Sequence, residues 1–213
     1  MALMTPEEYE RSLRKMKFNV YLLGEKIDNI ADNPIVLPSR NAVKMTYALA
    51  HDPQYENLLT ATSHFTGERI SRFTHLHRST DDLVKKVKMQ RLLGQKTASC
   101  FQRCVGMDAI NAVESVTFEL DTALGTNYYE RFTAFLRMIQ QEDYTVDGAM
   151  TDPKGDRNLL PHQQDDPDLY LRVVAKRPDG IVVRGAKCHQ TGALNSHWIL
   201  VMPTISMTQA DTD

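Results

Sequence analysis

Two cysteines four residues apart, Cys100 and Cys104 in LLGQKTASCFQRCVGMDAINAV, carry the strongest chemical signal in the sequence. The segment around them reads as helix, and on a helix that spacing sets both thiols on one face, one turn apart. Such a pair serves as packed core groups, as a redox couple, or as two ligands of a metal or iron–sulfur centre. A disulfide is a poor reading for a chain without an export signal, because cytosolic thiols are kept reduced. A cluster asks for four protein ligands, usually Cys with an occasional His. Only Cys188 and seven histidines remain to supply the other two. The pair therefore reads as half of a site.

Two polar segments come next. GAMTDPKGDR has the composition of an ordinary loop, and equally of a cofactor loop in which backbone amides, Thr151, Lys154 and Arg157 meet phosphates or ring edges. In KCHQTGALNSH, His189 reads as a structural histidine, Thr191 as a turn hydroxyl and Cys188 as a packed thiol. His64, His75 and His77 with Arg72 and Arg78 form a mildly basic stretch that reads as solvated surface or subunit contact, as do Lys85, Lys86 and Lys88.

The scaffold for these groups is expected to be α+β. The 213 residues are 42% hydrophobic and 24% charged with net charge −2, which argues against disorder and against a basic nucleic-acid binder. No run of about 18 apolar residues exists, and MALMTPEEYERSLRKM lacks the apolar core of a signal peptide. The expectation is a cytoplasmic protein with neither nucleic acid nor membrane as partner. Thr5-Pro6-Glu7-Glu8 opens a helix to about Lys17, NVYLLGEKI suggests a hairpin with a Gly-Glu turn, and Pro34 and Pro38 precede a helix over 41–50. Ser79 starts another helix, which resumes or continues over 97–123, and one more covers 128–141. From Tyr144 a loop-like stretch leads to a hairpin around Pro178-Asp179-Gly180 and a strand over 197–205. Helices first and antiparallel strands after give an N-terminal helical domain, 1–143, and a β-domain, 144–213, whose few strands look cut off mid-fold.

MTPEEYERSLRKMKFNVYLLGEKI, STDDLVKKVKMQRLLGQKTASCFQRCVGMDA, VDGAMTDPKGDR and DGIVVRGAKCHQTGALNSH together closely resemble the 4-hydroxybutyryl-CoA dehydratase/vinylacetyl-CoA Δ-isomerase family. That family is similar to the flavin-dependent 4-hydroxyphenylacetate 3-monooxygenases and has an acyl-CoA dehydrogenase-like fold. The resemblance runs from about residue 4 to the end and implies a C-terminal helical bundle that this sequence lacks. It also implies FAD and a [4Fe–4S] cluster flanking an acyl-CoA site in a homotetramer of fermentative metabolism. Cys100 and Cys104 match two cluster ligands; the other two, a His and a Cys, lie in the missing half with the catalytic glutamates, tyrosine and lysine. Met150, Thr151, Asp152, Pro153, Lys154, Gly155, Asp156 and Arg157, with His189, Gln190, Thr191 and Gly192, match flavin segments, and Thr191 takes a catalytic place near the reactive flavin nitrogen. The implied reaction converts 4-hydroxybutyryl-CoA to crotonyl-CoA through a ketyl radical, whose oxidation level makes the C3 proton acidic. Two alternatives stand beside it. One is a flavin-dependent aromatic monooxygenase-like protein, which has no reason to carry SCFQRC; the other is a non-catalytic fragment or subunit of a split enzyme.

Overall fold

Thr5 caps the first helix: its hydroxyl accepts from the Glu8 N–H at 3.2 Å while the Glu8 carboxylate accepts from the Thr5 N–H at 2.8 Å. Pro6 occupies the first turn, where a missing N–H costs nothing. In the computed structural model, which describes residues 3–206 and 208–211, helix α1 (Pro6–Arg14) buries Tyr9 and Leu13. Strands β1 (Val20–Leu22) and β2 (Glu25–Ile27) form the expected hairpin, but its turn is Leu23-Gly24, both left-handed at φ 52 and 88. Helix α2 (Leu37–Ala50) begins four residues earlier than expected, because Pro38 sits in its first turn and starts the helix instead of breaking it.

After the short α3 (Glu56–Leu59), strands β3 (Thr60–Thr62) and β4 (Arg69–Ser71) pair antiparallel, a hairpin not foreseen in so polar a stretch. Ser79 and Asp82 form a reciprocal cap on α4 (Thr80–Thr97). Ala98, left-handed at φ 49, stops that helix, and α5 begins only at Cys104 and runs to Leu124. The expected helix through both cysteines is therefore not formed. The Asp121 carboxylate near the end of α5 accepts from the Tyr128 and Tyr129 N–H groups at 2.8 and 2.9 Å, and so caps α6 (Tyr128–Gln141) where Asn127 makes no cap.

Only part of the basic stretch is the solvated surface its composition suggested: His64 and Arg78 are exposed, whereas Arg72 and His75 are buried. Arg72 is 3% exposed and donates to the carbonyls of Leu58, Asn57 and Thr60 at 2.7, 3.1 and 2.6 Å, fastening α3 to the β4 end. His75, 4% exposed, hydrogen-bonds Asp82 at 3.0 Å and stacks on His64. Only the periphery behaves as expected, with Lys85 paired to Asp81 at 2.8 Å and Lys86 to Asp108.

The chain divides into two compact units, one of Met1–Asp147 with Gly192–Ile199, the other of Gly148–Thr191 with Leu200–Asp213. The core of the first gathers Leu49, Leu59, Phe73, Met89, Leu93, Phe101 and Met107, with Cys104 packed at its border. Strand β5 (Val146–Ala149), buried along its length, occupies residues expected to be loop, and pairs with β8 (Trp198–Val201). The flanking bonds, His197 N–H to Thr145 O and Met202 N–H to Ala149 O, advance in the same direction along both segments. That pairing is parallel, where antiparallel strands were expected. In the second unit β6 (Arg172–Arg177) and β7 (Gly180–Arg184) make the antiparallel hairpin around Pro178-Asp179, with a bulge between Val173 and Ala175. No helix among the described residues is long and apolar enough to cross a membrane.

Burial holds two histidines near a pKa of about 4: His75, in spite of Asp82, and His197, whose Nδ1 accepts from the Thr145 N–H at 3.0 Å. In the unfolded chain both titrate near 6.5, so below that pH the unfolded state binds more protons and folding weakens until about pH 4. Asp143, pushed up to about 6 by burial, works in the opposite sense below pH 6. The two histidines outnumber it, and stability falls as pH drops from 7 to 5. In His197→Asn, whose amide oxygen can still accept from Thr145, denaturation curves at several pH values are expected to show a shallower fall. An unchanged slope would contradict the assignment.

Candidate functional site

Between α4 and α5 the chain makes a tight corner, Ser99 to Arg103, whose residues alternate in fate. Cys100 is exposed and Cys104 half-buried, and both are free thiols. Phe101, Gln102 and Arg103 between them are 8%, 4% and 2% exposed. Phe101 joins the hydrophobic core beside Phe73, which anchors the corner. The Arg103 guanidinium lies over the rings of Tyr47 and Phe73, 4.5 and 4.4 Å from their centroids, and donates to Thr46 Oγ1 at 3.0 Å. Gln102 takes a left-handed backbone, φ 63, which turns the chain back and opens α5 at Cys104. The two thiols are thus presented from a fixed corner and not from one helix face. Burial, and then the nearness of Cys100, raises the Cys104 pKa above its ordinary value, so the two groups sense one another.

This corner suits a shared metal centre as far as it goes: two neighbouring soft donors on a rigid turn. Among the described residues no group of three or more His, Cys, Asp and Glu is arranged to hold a metal ion.

Gly192, in the first unit, lies against the same corner. A Cβ built on Gly192 would stand 2.9 Å from the Asp147 carboxyl carbon and 3.0 Å from the Gln102 carbonyl oxygen. Both are tighter than ordinary side-chain contacts, so a larger residue would have to displace the Asp147 side chain or the Gln102 carbonyl. The strand β5 residue Asp147 and the cysteine corner converge on one glycine.

Within the second unit, 150–157 and 187–191 also come together. The Cys188 N–H donates to the Thr151 carbonyl at 2.8 Å. Lys187, whose side chain is 9% exposed, donates to the carbonyls of Met150 and Met202 at 3.1 and 2.8 Å and pairs with Asp152 at 2.5 Å. Its ammonium is fully used in pinning the loop. Met150, Thr151, Asp152, Pro153, Lys154, Asp156 and Arg157 line an open cleft of about 470 Å³ with Tyr170 and Thr204. The Thr204 hydroxyl and Asp152 carboxylate are bonded at 2.5 Å, and the Tyr170 hydroxyl donates to the Lys154 carbonyl at 3.2 Å. Lys154 and Arg157 stay exposed, free to meet an anionic group. Thr191 and His189 are exposed as well, His189 in a left-handed backbone of φ 60.

A second arrangement looks catalytic and is not. Ser12 Oγ lies 2.7 Å from His197 Nε2 on the wall of a cavity of about 700 Å³. Because His197 Nδ1 already accepts the Thr145 N–H, Nε2 of the neutral ring must carry the proton and donate to Ser12. The Ser12 hydroxyl in turn donates to the Tyr9 carbonyl at 2.6 Å. A base that holds a proton cannot activate the serine.

Sequence reasoning picked out the thiols and both polar segments, but not Gln102, whose left-handed backbone turns the corner, or Lys187, which pins the loop. Their residue types are common in any loop, and only the tertiary contacts single them out.

The fold is that of an oxygen-tolerant archaeal 4-hydroxybutyryl-CoA dehydratase from N. maritimus, with TM-score 0.93 and 50% identity over 99% of this chain and 42% of that one. It is also the fold of the oxygenase component of 4-hydroxyphenylacetate 3-monooxygenase solved with FAD, at TM-score 0.76 and 22% identity over 95% of this chain and 42% of that one. The chain belongs to the family described as 4-hydroxyphenylacetate 3-hydroxylase N terminal, whose profile matches residues 5–213. It is 64% identical over 211 residues, 99% of its length, to the 4-hydroxybutyryl-CoA dehydratase/vinylacetyl-CoA-Δ-isomerase of Clostridium aminobutyricum, and spans 43% of that protein. The oxygenase component of 4-hydroxyphenylacetate 3-monooxygenase from Thermus thermophilus is 26% identical over 98% of the chain, which spans 42% of it.

Gly192→Ala tests the close approach. The added methyl must displace the Asp147 carboxylate or the corner backbone, and an overpacked site of this kind costs about 1–3 kcal/mol. Denaturant titration of the variant is expected to show a loss in that range; a neutral substitution would mean that the corner yields freely.

Proposed function

We propose that the chain supplies the N-terminal, cofactor-holding part of a 4-hydroxybutyryl-CoA dehydratase with vinylacetyl-CoA isomerase activity, using FAD and one [4Fe–4S] cluster. The observation that carries this reading is the contact of Gly192 with the Gln102 carbonyl. It ties the end of one proposed flavin segment to the corner that presents Cys100 and Cys104. Identity of 64% to the Clostridium enzyme supports the same substrate class, a CoA thioester of a four-carbon hydroxy acid. Because the chain spans 43% of that enzyme, the remaining ligands, the general acids and bases and the helical bundle of the acyl-CoA dehydrogenase-like layout are assigned to the rest of the full-length protein, a cytoplasmic homotetramer.

Each group in this chain then has a task. Cys100 and Cys104 give two thiolates to the cluster, held by the buried Phe101 and Arg103 on either side of Gln102. The 150–157 cleft receives the flavin, with Lys154 and Arg157 answering its phosphates and Thr151 its polar edge. His189, Gln190, Thr191 and Gly192 line its reactive end, where the Thr191 hydroxyl holds or passes a proton. Bound FAD supplies one-electron chemistry, and the cluster a Lewis acid for the substrate hydroxyl. The net reaction loses water and leaves the oxidation state of the cofactors unchanged. A cluster-free monooxygenase-like role leaves the thiol corner without a purpose.

Anaerobic iron, sulfide and flavin analysis of the full-length protein decides between the two. The expected result is about four iron and four sulfide per chain beside one flavin. Cys100→Ala and Cys104→Ala are each expected to lose the iron and to lower dehydration of 4-hydroxybutyryl-CoA by at least about 100-fold, with flavin retained. Full turnover in an iron-free protein would overturn the proposal.

A further inference from the structure

The corner is held to the 192–195 turn by two buried amide side chains to which no role attaches so far. Asn195 is 1% exposed and Gln102 4%. The Asn195 Nδ2 donates to Gln102 Oε1 at 2.8 Å and to Ser39 Oγ at 3.0 Å, and its Oδ1 accepts from Arg40 Nε at 3.4 Å. Gln102 Nε2 donates to the Ser39 carbonyl at 2.9 Å and to the Cys100 carbonyl at 3.4 Å. The backbone of Asn195 is fixed as well: its N–H donates to the Gly192 carbonyl at 2.9 Å and its carbonyl accepts the Tyr9 hydroxyl at 2.7 Å. Every polar atom of both side chains is thereby spent on α2, on the cysteine corner or on the turn that begins at Gly192.

We infer that the Gln102–Asn195 amide pair is a positioning device that sets the cysteine corner against the Gly192 turn, and so fixes where Cys100 and Cys104 present their sulfurs. The inference rests on the cluster reading above. Three features separate it from generic packing. Gln102 lies between the two thiols in sequence, so a shift of its backbone moves both. Its left-handed backbone, φ 63, is a strained choice for a side chain of this size and persists only where the surroundings fix it. Its carbonyl makes the close contact with Gly192, so side chain and main chain of one residue reach the same turn from two directions. A ligand pair pre-set in this way loses little freedom when metal binds, and outer partners of this kind commonly alter metal affinity by about 10–100-fold.

The test uses the full-length protein, purified anaerobically with its cluster. Gln102→Asn keeps an amide and a residue tolerant of left-handed backbone, but is one methylene too short to reach Asn195. Asn195→Ala removes the same bond from the other side. Each is expected to lose its visible cluster absorbance to a chelator about tenfold faster than wild type, with flavin content unchanged. The double variant is expected to be no faster than the worse single one, because both remove one shared interaction. Ile139→Val, a buried methyl deletion in α6, separates positioning from stability: it lowers the melting midpoint and leaves the stripping rate at the wild-type value. Wild-type stripping rates in both amide variants would overturn the inference, as would a rate in Ile139→Val that rises in step with lost stability. Wild-type protein that contains flavin but no iron and sulfide would instead overturn the reading beneath it, before any variant is compared.

Discussion

The Gln102 carbonyl oxygen and the Asp147 carboxylate stand within 3.0 Å of the point where a side chain would begin at 192, so a residue larger than glycine must push one of them aside, and the cysteine corner packs around that constraint. Contact at this range requires the Gln102 peptide to be held, since an unrestrained corner would swing away and let water in. Phe101 in the core, Arg103 between two aromatic rings and Gln102 hydrogen-bonded to α2 and Asn195 supply the restraint. The thiols flanking these buried residues then have little choice of position. Chemistry that needs two sulfurs in a set place is served by residues that carry no sulfur.

The polar cleft is organised by the same logic with a different anchor. Lys187 has a long side chain that would ordinarily stay solvated, yet all its donors are spent inside the 150–152 and 202 backbone and on Asp152. A buried ammonium without partners would be costly. With them it works as a rivet between the loop and the strand end, and leaves Lys154 and Arg157 as the exposed cations of the cleft. Positions that look alike in composition therefore divide into one that builds the loop and two that face outward.

Much of the scaffold was legible. Thr5 with Glu8 and Ser79 with Asp82 announced α1 and α4 through reciprocal caps, and Pro178-Asp179-Gly180 announced β6 and β7. Between Thr97 and Cys104 no glycine or proline in the sequence interrupts the helix drawn through Cys100. Ala98 and Gln102, at φ 49 and 63, break it with residue types that carry no such signal, because tertiary contacts outweigh local preference there. Strands β3, β4 and β5 are three or four residues long, too short for an alternating pattern to emerge. Arg72 and His75 were misread because buried charge is legible only through its partners, three carbonyls in one case and Asp82 in the other. The thiol spacing and the two polar segments could be picked out in the sequence as candidates; which residues hold them in place could not be read without the fold.

The proposal that Cys100 and Cys104 ligate a cluster in a flavin-binding protein turns on where the iron binds. Anomalous diffraction at the iron edge from crystals of the anaerobic full-length protein tests it most directly. The account predicts an iron peak bonded to the sulfurs of both Cys100 and Cys104, with flavin density along 150–157 and against 189–192. Iron bound away from these two sulfurs, or flavin density that avoids both segments, would contradict it.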